Sequence, residues 1–328
     1  MKALLITCLK NEASFLLDWV AHHLSIGFAH ILVFTNDCED GSDAMADRLQ
    51  HIGPITHLPN PAPWRQGPQW AALRRAQTHP AYLAADWVMM LDVDEFVMIK
   101  LGQGRLQDLL RARPEVDAFT LCWRIFGNDG QFSRQDRSII DCFTACAPEV
   151  LHWPWRAQMV KTLFRRTAFG QLGIHRPHAA TGTPIWSNPS WGDKIYAPNG
   201  FNNYGLGQIN HYPLGAMDDF LIKAARGRAN RRANTSAMDY WCERNFCAAA
   251  DFSIQAIDNG QWREKLRQDQ GLCDLHQAAE AWRRHRFVEL MRDEEKRALL
   301  GKLLMTPPTQ PLTPEVAAFL RQPFHPFS

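Results

Sequence analysis

Nowhere in the 328 residues is there an apolar run of about eighteen, the length a helix needs to cross a bilayer, so no membrane span is written in the chain. Charge of one sign is also lacking. The 36 Lys and Arg against 34 Asp and Glu leave +2 with histidine neutral, which excludes a nucleic-acid coat, a histone-like protein or an acidic tail. The eight cysteines form no CxxC pair, and their closest spacings, Cys142 to Cys146 and Cys242 to Cys247, suit neither a zinc knuckle nor a dense disulfide framework. The expectation is reduced cysteines in a cytoplasmic protein. The apolar stretch Ala3–Cys8 is too short for a leader's core and has no small-residue cleavage site, so it reads as a first strand. Internal repeats are missing, as is low complexity beyond the Pro-containing tail at 306–314. What remains, 46% hydrophobic and 21% charged residues, is an ordinary folded globule able to bury a sizeable core.

Along the first hundred residues strand and helix signals alternate. An apolar run at 3–8 suits a strand buried on both faces. Leu16, Trp19, Val20, His23 and Leu24 then recur at helical spacing over 14–26, with Ser14 as N-cap and Gly27 as stop. Strands follow at 30–35, 52–58 and 87–91, with helices near 41–49 and 69–78. This order predicts a mostly parallel α/β sheet wrapped by helices. Further strands are predicted at 116–126 and 159–165. Residues 177–207 read as loops, which in a compact domain are more often functional than idle. Helices are predicted at 218–230, 238–249 and within 275–304, and a last one opens at Thr313-Pro314.

Ligands of open parallel sheets bind beyond the carboxyl ends of the strands. Three polar clusters fall there: Lys10-Asn11-Glu12, Asn36-Asp37 with Asp40-Gly41, and Asp92-Val93-Asp94-Glu95-Phe96. Each alone is equally a helix cap or turn; together they point to one crevice. Asp92 and Asp94 are the sharpest element, since two carboxylates after an apolar strand are costly to bury unless a cation neutralises them. Hard oxygen ligands suit Mg2+ or Mn2+, ions that bind one or two carboxylates and complete their shell with water and phosphate oxygens.

The ensemble resembles the bacterial family-2-like glycosyltransferases with a GT-A fold. The segments that carry the likeness are Lys10-Asn11-Glu12, Asp18-Trp19-Val20-Ala21-His22-His23, Asn36-Asp37 with Asp40-Gly41-Ser42, and Asp92-Val93-Asp94-Glu95-Phe96. Asn210-His211-Tyr212 and the run Lys223 to Asn230 containing Arg226-Gly227-Arg228 extend it to about residue 230. The resemblance implies a GT-A nucleotide-sugar-binding catalytic domain over 1–215 and a helical C-terminal extension over 216–328. It implies an enzyme that moves a sugar from a UDP- or GDP-linked donor to an acceptor hydroxyl, with inversion, in surface polysaccharide synthesis. Asn36, Asp37 and Asp40 would hold the nucleoside, Lys10, Asn11 and Glu12 would line its base, and Asp92 would sit near ribose and metal. Asp94 would ligate the metal with His211 as a third ligand, although a histidine bonded in a turn explains His211 equally.

Lys223, Arg226, Arg228, Arg231 and Arg232 form a basic run without an acid. On a helix Lys223 and Arg226 share a face, suited to a diphosphate or an anionic acceptor; a solvated face or contact with anionic lipid headgroups is the plain alternative. Lys161 and His175, in stretches similar to the family's K-x-x-x-R and HRP segments, would line the donor sugar. Gln69 and Arg74 are placed to face the crevice, and Trp64, Trp70, Trp153, Trp155, Trp186 and Trp191 crowd loop regions where an indole can meet sugar. Glu95 and Asp193 are the two candidates for the base that deprotonates the acceptor. The partners expected are a nucleotide-sugar donor and a glycan or lipid-linked acceptor, with no nucleic acid and with peripheral contact at the inner face of the membrane allowed. Two rivals stand beside this reading: a binding module on the same fold, and a haloacid-dehalogenase-type phosphatase. The phosphatase motif continues to Thr or Val where this chain has Phe96.

Overall fold

A computed structural model of the chain describes residues 1–135, 137–226, 236–257 and 260–322. The first third alternates as predicted: β1 (Ala3–Leu9), α1 (Ala13–Ser25), β2 (His30–Thr35), α2 (Ser42–Ile52), β3 (Ile55–Pro59), α3 (Pro68–Gln77), α4 (Pro80–Leu83) and β4 (Trp87–Met90). Next come β5 (Glu95–Ile99), α5 (Leu106–Ala112), β6 (Ala118–Ile125), α6 (Ile139–Cys142), β7 (Ala145–Cys146), β8 (Val160–Arg165), β9 (Phe169–Gln171), β10 (His178–Ala180) and β11 (Gly207–His211). The remainder is mainly helical, with α7 (Met217–Ala225), α8 (Ala237–Cys242), β12 (Ala249–Ala250), α9 (Gly260–Arg267), α10 (Gln270–Leu290), α11 (Glu294–Met305) and α12 (Pro314–Arg321).

The main sheet runs β3-β2-β1-β4-β8-β6-β11-β5. β3, β2, β1 and β4 are parallel, as are β6 and β11. β8 lies antiparallel between β4 and β6, and β5 runs antiparallel beside β11. Alternate side chains explain why the strands read as unbroken apolar runs. Leu5, Leu9, Ile31, Val33 and Met89 pack against Leu16, Trp19 and Val20 of α1 and Met45 and Leu49 of α2. Their neighbours Leu4, Ile6, Leu32, Phe34, Val88 and Met90 pack on the other face against Ala72, Leu73 and Ala76 of α3. A strand covered on both faces has no polar side to show.

Helices α9 and α10 pack on α1, α10 also on α2, and β12 pairs with β7, so the C-terminal helices are built onto the sheet domain. A separate apolar cluster unites α7, α8, α10 and α11 around Phe220, Leu221 and Trp241. No helix among the described residues is long and apolar enough to cross a membrane.

Two local expectations are corrected. Ser14 is buried inside α1 and does not cap it; the carboxylate of Asp40 accepts the Ala13 N–H at 2.8 Å instead. The helix expected over 238–249 stops at Cys242. There the Asn245 side chain accepts the Asn128 N–H at 2.8 Å and its carbonyl the Thr309 N–H at 2.8 Å, which pulls the chain toward β12.

Candidate active site

Because β1, β2, β4, β6 and β11 all point the same way, their carboxyl ends share one edge of the sheet. A crevice of about 560 Å³ opens there. Its wall holds Lys10 and Glu12 after β1, Asn36 after β2, Gln69 at the start of α3, Asp92 and Asp94 after β4, His175, His211, and Lys223 and Arg226 of α7.

The Asp92–Asp94 turn is clamped from below by α1. Trp19 Nε1 donates to the carbonyls of Asp92 (3.1 Å) and Glu95 (2.9 Å), and His22 Nε2 meets the Val97 carbonyl at 2.8 Å. His22 and His23 are fully buried, and desolvation drives His22 down to about 4 and His23 well below its ordinary value. The paired histidines are therefore neutral core residues under the turn. From the other side the Tyr212 N–H donates to the Asp94 carbonyl at 2.9 Å, which brings His211 next to the Asp94 side chain.

Asp94 Oδ2 accepts from the Lys223 ammonium and lies 3.7 Å from His211 Nε2. Burial pushes the Asp94 carboxyl up, but Lys223 and His211 outweigh it and hold the group far below the usual carboxylate range. Burial keeps His211 below its ordinary value despite Asp94. The His211 ring packs on Trp123 at 4.1 Å between centroids, and its Nδ1 is buried without a partner. Asp92 is held by Gln69 Nε2 at 2.8 Å on Oδ1 and by Lys161 Nζ at 3.2 Å on Oδ2. Arg226 donates to the carbonyls of Lys10 and Asn11 and to the Glu12 carboxylate, stitching α7 to the end of β1. His175 Nδ1 faces the Val160 carbonyl at 3.0 Å, and burial, with Lys161 nearby, lowers the ring to about 4. A proton must sit on Nδ1 for that bond, so Nε2 keeps its lone pair as an acceptor.

Several residues expected at the site do other work. Asp40 is 4% exposed, and its oxygens are consumed by Ala13 N–H, Ser42 N–H (3.0 Å) and Ser42 Oγ (2.6 Å), so it caps a helix. Asp37 stands exposed outside the crevice wall, accepting the Ala62 N–H at 3.3 Å. Asn11, with positive φ, uses its Oδ1 on the Glu39 N–H and borders a small cavity that shares Glu12, Asp94, Lys223 and Arg226 with the crevice. Asn36 is in the wall, but its amide is spent on the Leu9 carbonyl and on Asn60. Lys161 is fully buried behind the wall and acts through Asp92.

Neither proposed base reaches the crevice. Glu95 is fully buried, and its Oε2 meets Lys161 at 3.1 Å and the Asp92 N–H at 2.9 Å. Period-two alternation turns the side chain after Asp94 into the protein. Desolvation, with Asp92 beside it, pushes Glu95 up to about 8 against the pull of Lys161. Asp193 is exposed on the loop after Trp191, away from the wall. Arg74 faces away from the crevice, whereas Gln69 faces it. Arg228, Asn230, Arg231 and Arg232 lie outside the described residues. Trp123, Ile174 and Tyr240 line the crevice unforeseen; Trp123 lies within β6, in its carboxyl half.

Among the described residues no group of three or more His, Cys, Asp and Glu side chains is arranged so as to hold a metal ion by itself. One carboxylate and one imidazole, Asp94 and His211, do face each other on the crevice wall, a set that fits an ion keeping its other positions for water and phosphate oxygens.

A mixed, mostly parallel sheet with helices on both faces, a polar crevice at its strand ends and a helical C-terminal part is the GT-A class of α/β fold. A family model, glycosyltransferase family 92, matches residues 5–190, and the chain belongs to that family. The resemblance read from the motifs thus holds at the level of glycosyltransferase, and the matching family is 92. Similar curated proteins are plant members of family 92. One from Oryza sativa subsp. japonica is 25% identical over 154 residues, covering 44% of this chain and 25% of that protein. One from Ricinus communis is 31% identical over 108 residues, covering 32% and 17%. The aligned part thus spans a quarter or less of the curated relatives' length. Among solved structures, S. aureus TarS 1–349 aligns over 87% of this chain and 92% of its own at 13% identity and a TM-score of 0.35. HddC from Yersinia pseudotuberculosis aligns over 57% and 88% at 7% identity and a TM-score of 0.33. His211, Lys223 and Arg226 lie beyond the family-matched range, so part of the crevice wall comes from the following segment.

Proposed function

We propose that this chain transfers a sugar from a nucleotide-diphosphate donor, UDP- or GDP-linked, to an acceptor hydroxyl on a glycan or lipid-linked glycan, with inversion. Family membership supports the class, and one observation carries the assignment: Asp94, His211, Lys223 and Arg226 converge from separate elements on one crevice wall beside Asp92. In the reaction the acceptor oxygen bonds to the anomeric carbon, the bond from that carbon to the diphosphate breaks, and the acceptor's proton passes to a base.

The chain's own residues account for donor binding and for the leaving group. Lys223 and Arg226 supply fixed positive charge where the diphosphate would lie, and fixed charge in a half-dry crevice stabilises the developing anion without reorganisation. Lys10 extends that field at the mouth. His175, neutral with Nε2 as acceptor, suits a donor-sugar hydroxyl. Asp94 and His211 are the residues that would hold Mn2+ or Mg2+, which when bound neutralises charge on the diphosphate. Lys161 and Glu95 position Asp92 from behind.

The test is calorimetry against a panel of UDP- and GDP-sugars, with and without Mn2+, on the wild type and Asp94→Asn. Expected is metal-enhanced binding of at least one donor that Asp94→Asn weakens by more than roughly tenfold, with loss of the metal effect. Unchanged binding and metal response in Asp94→Asn refute the assignment.

A further inference from the structure

Helix α3 separates two concavities. Gln69, in its first turn, reaches Asp92 on the donor side. The next residue, Trp70, turns a hundred degrees about the helix axis and lines a second concavity of about 610 Å³. The two share their opposite wall, because Leu172 borders the second and Ile174 and His175 border the first along a single stretch of chain. A molecule seated in the second concavity therefore lies alongside the crevice where the sugar would be released.

Its lining has one chemical character. Leu73 and Leu172 form a buried apolar floor, and Trp70 is half-buried with its indole 6.5 Å from the His178 ring. Around them stand three amides and one guanidinium. Arg74 Nη1 donates to Gln66 Oε1 at 2.7 Å, so the Gln66 oxygen is used and its amide hydrogens have no described acceptor. Gln77 Nε2 donates to the Gly170 carbonyl at 3.2 Å and keeps its oxygen as an acceptor. The Gln171 side chain is exposed and has no described partner. No carboxylate lines the concavity. Paired amide donors and acceptors match vicinal hydroxyls, and an indole face matches the C–H face of a pyranose ring.

We propose that this concavity is the acceptor subsite and that it takes a neutral oligosaccharide; the proposal rests on the glycosyltransferase reading above. Three neutral amides and an indole against a single guanidinium make hydrogen bonding and stacking, rather than paired charges, the main terms of recognition.

The experiment uses the full chain on a printed array of neutral and acidic oligosaccharides, followed by calorimetry with the neutral glycan that binds best. Trp70→Ala is expected to weaken that glycan roughly tenfold or more. Gln171→Ala and Gln66→Ala, both at exposed positions and so safe for folding, are expected to weaken it several-fold. Affinity for the donor selected by the nucleotide-sugar panel stays unchanged in all three. Array binding confined to acidic glycans, no glycan binding at all, or unaltered glycan affinity in both glutamine variants overturns the subsite. If donors bind while any of these holds, the subsite alone falls; if no nucleotide sugar binds the wild type, the transferase reading falls and takes the subsite with it.

Discussion

Glu95→Gln separates a residue that holds the site from one that performs chemistry. The Glu95 carboxyl is wholly buried, one oxygen has no partner, and the single Lys161 ammonium is shared with Asp92. Burial of Glu95 outweighs the pull of that one shared cation, so the folded state keeps Glu95 protonated up to about pH 8, whereas the unfolded chain releases that proton near 4.5. The folded pKa is the higher one. This contribution to stability is therefore complete below about 4.5 and is lost as pH rises to about 8. The slope is at most about 1.4 kcal/mol per pH unit, so the ceiling across that window is about 5 kcal/mol. Glutamine mimics the protonated acid and has no proton to lose. Urea unfolding at half-unit steps from pH 5 to 8.5 should show wild-type stability falling relative to Glu95→Gln, the two curves converging at the acid end. Parallel curves refute the argument, because all other carboxylates are common to both proteins. Turnover supplies a second readout. A positioning role predicts a loss under roughly tenfold, whereas removal of a general base costs about 10²–10⁴-fold.

Three further outcomes follow from the same geometry. Lys161→Met strips the partly exposed Asp92 of its counter-charge and leaves the buried Glu95 Oε2 with the Asp92 N–H alone, and should cost about 1–3 kcal/mol in urea unfolding at pH 7. Asp40→Ala removes the cap of α1 and should cost about 1–2 kcal/mol while donor affinity by calorimetry stays at the wild-type value; a specific loss of nucleotide affinity would restore Asp40 to the nucleoside site. Arg226→Ala frees the Lys10 and Asn11 carbonyls and the Glu12 carboxylate, and should weaken donor binding roughly tenfold or more in a salt-sensitive way, measured by titration at two ionic strengths.

The strand-end clusters were legible in the sequence because the signals are local. An apolar run ending in Asp92-Val93-Asp94 places carboxylates at the edge of a parallel sheet wherever the remaining strands fall. Gln69 was legible too, through its place on the first turn of a predicted helix. Glu12, Asp40 and Glu95 were not separable in the same way. All three are acids at strand or helix ends, yet one pairs with Arg226, one caps α1 and one is buried behind the turn. The histidine pair of α1 likewise gave no sign that it supports the Asp92–Asp94 turn through Val97, some seventy-five residues on.

By itself the sequence determined β1, β2, β3, β4, β6 and β8, the parallel run of the first half and the position of the acidic turn, since hydrophobic periodicity is a property of each segment; β5 and β11 came only with the tertiary structure. The tertiary structure alone decided which polar side chains remain open to a ligand. A carboxylate or amide has few lone pairs and hydrogens, and which distant neighbour uses them, Ser42 for Asp40 or Lys223 for Asp94, depends on how remote segments pack. It also decided that the segment after residue 215 completes the crevice, because Arg226, at the end of α7, bonds the carbonyls of Lys10 and Asn11 just after β1.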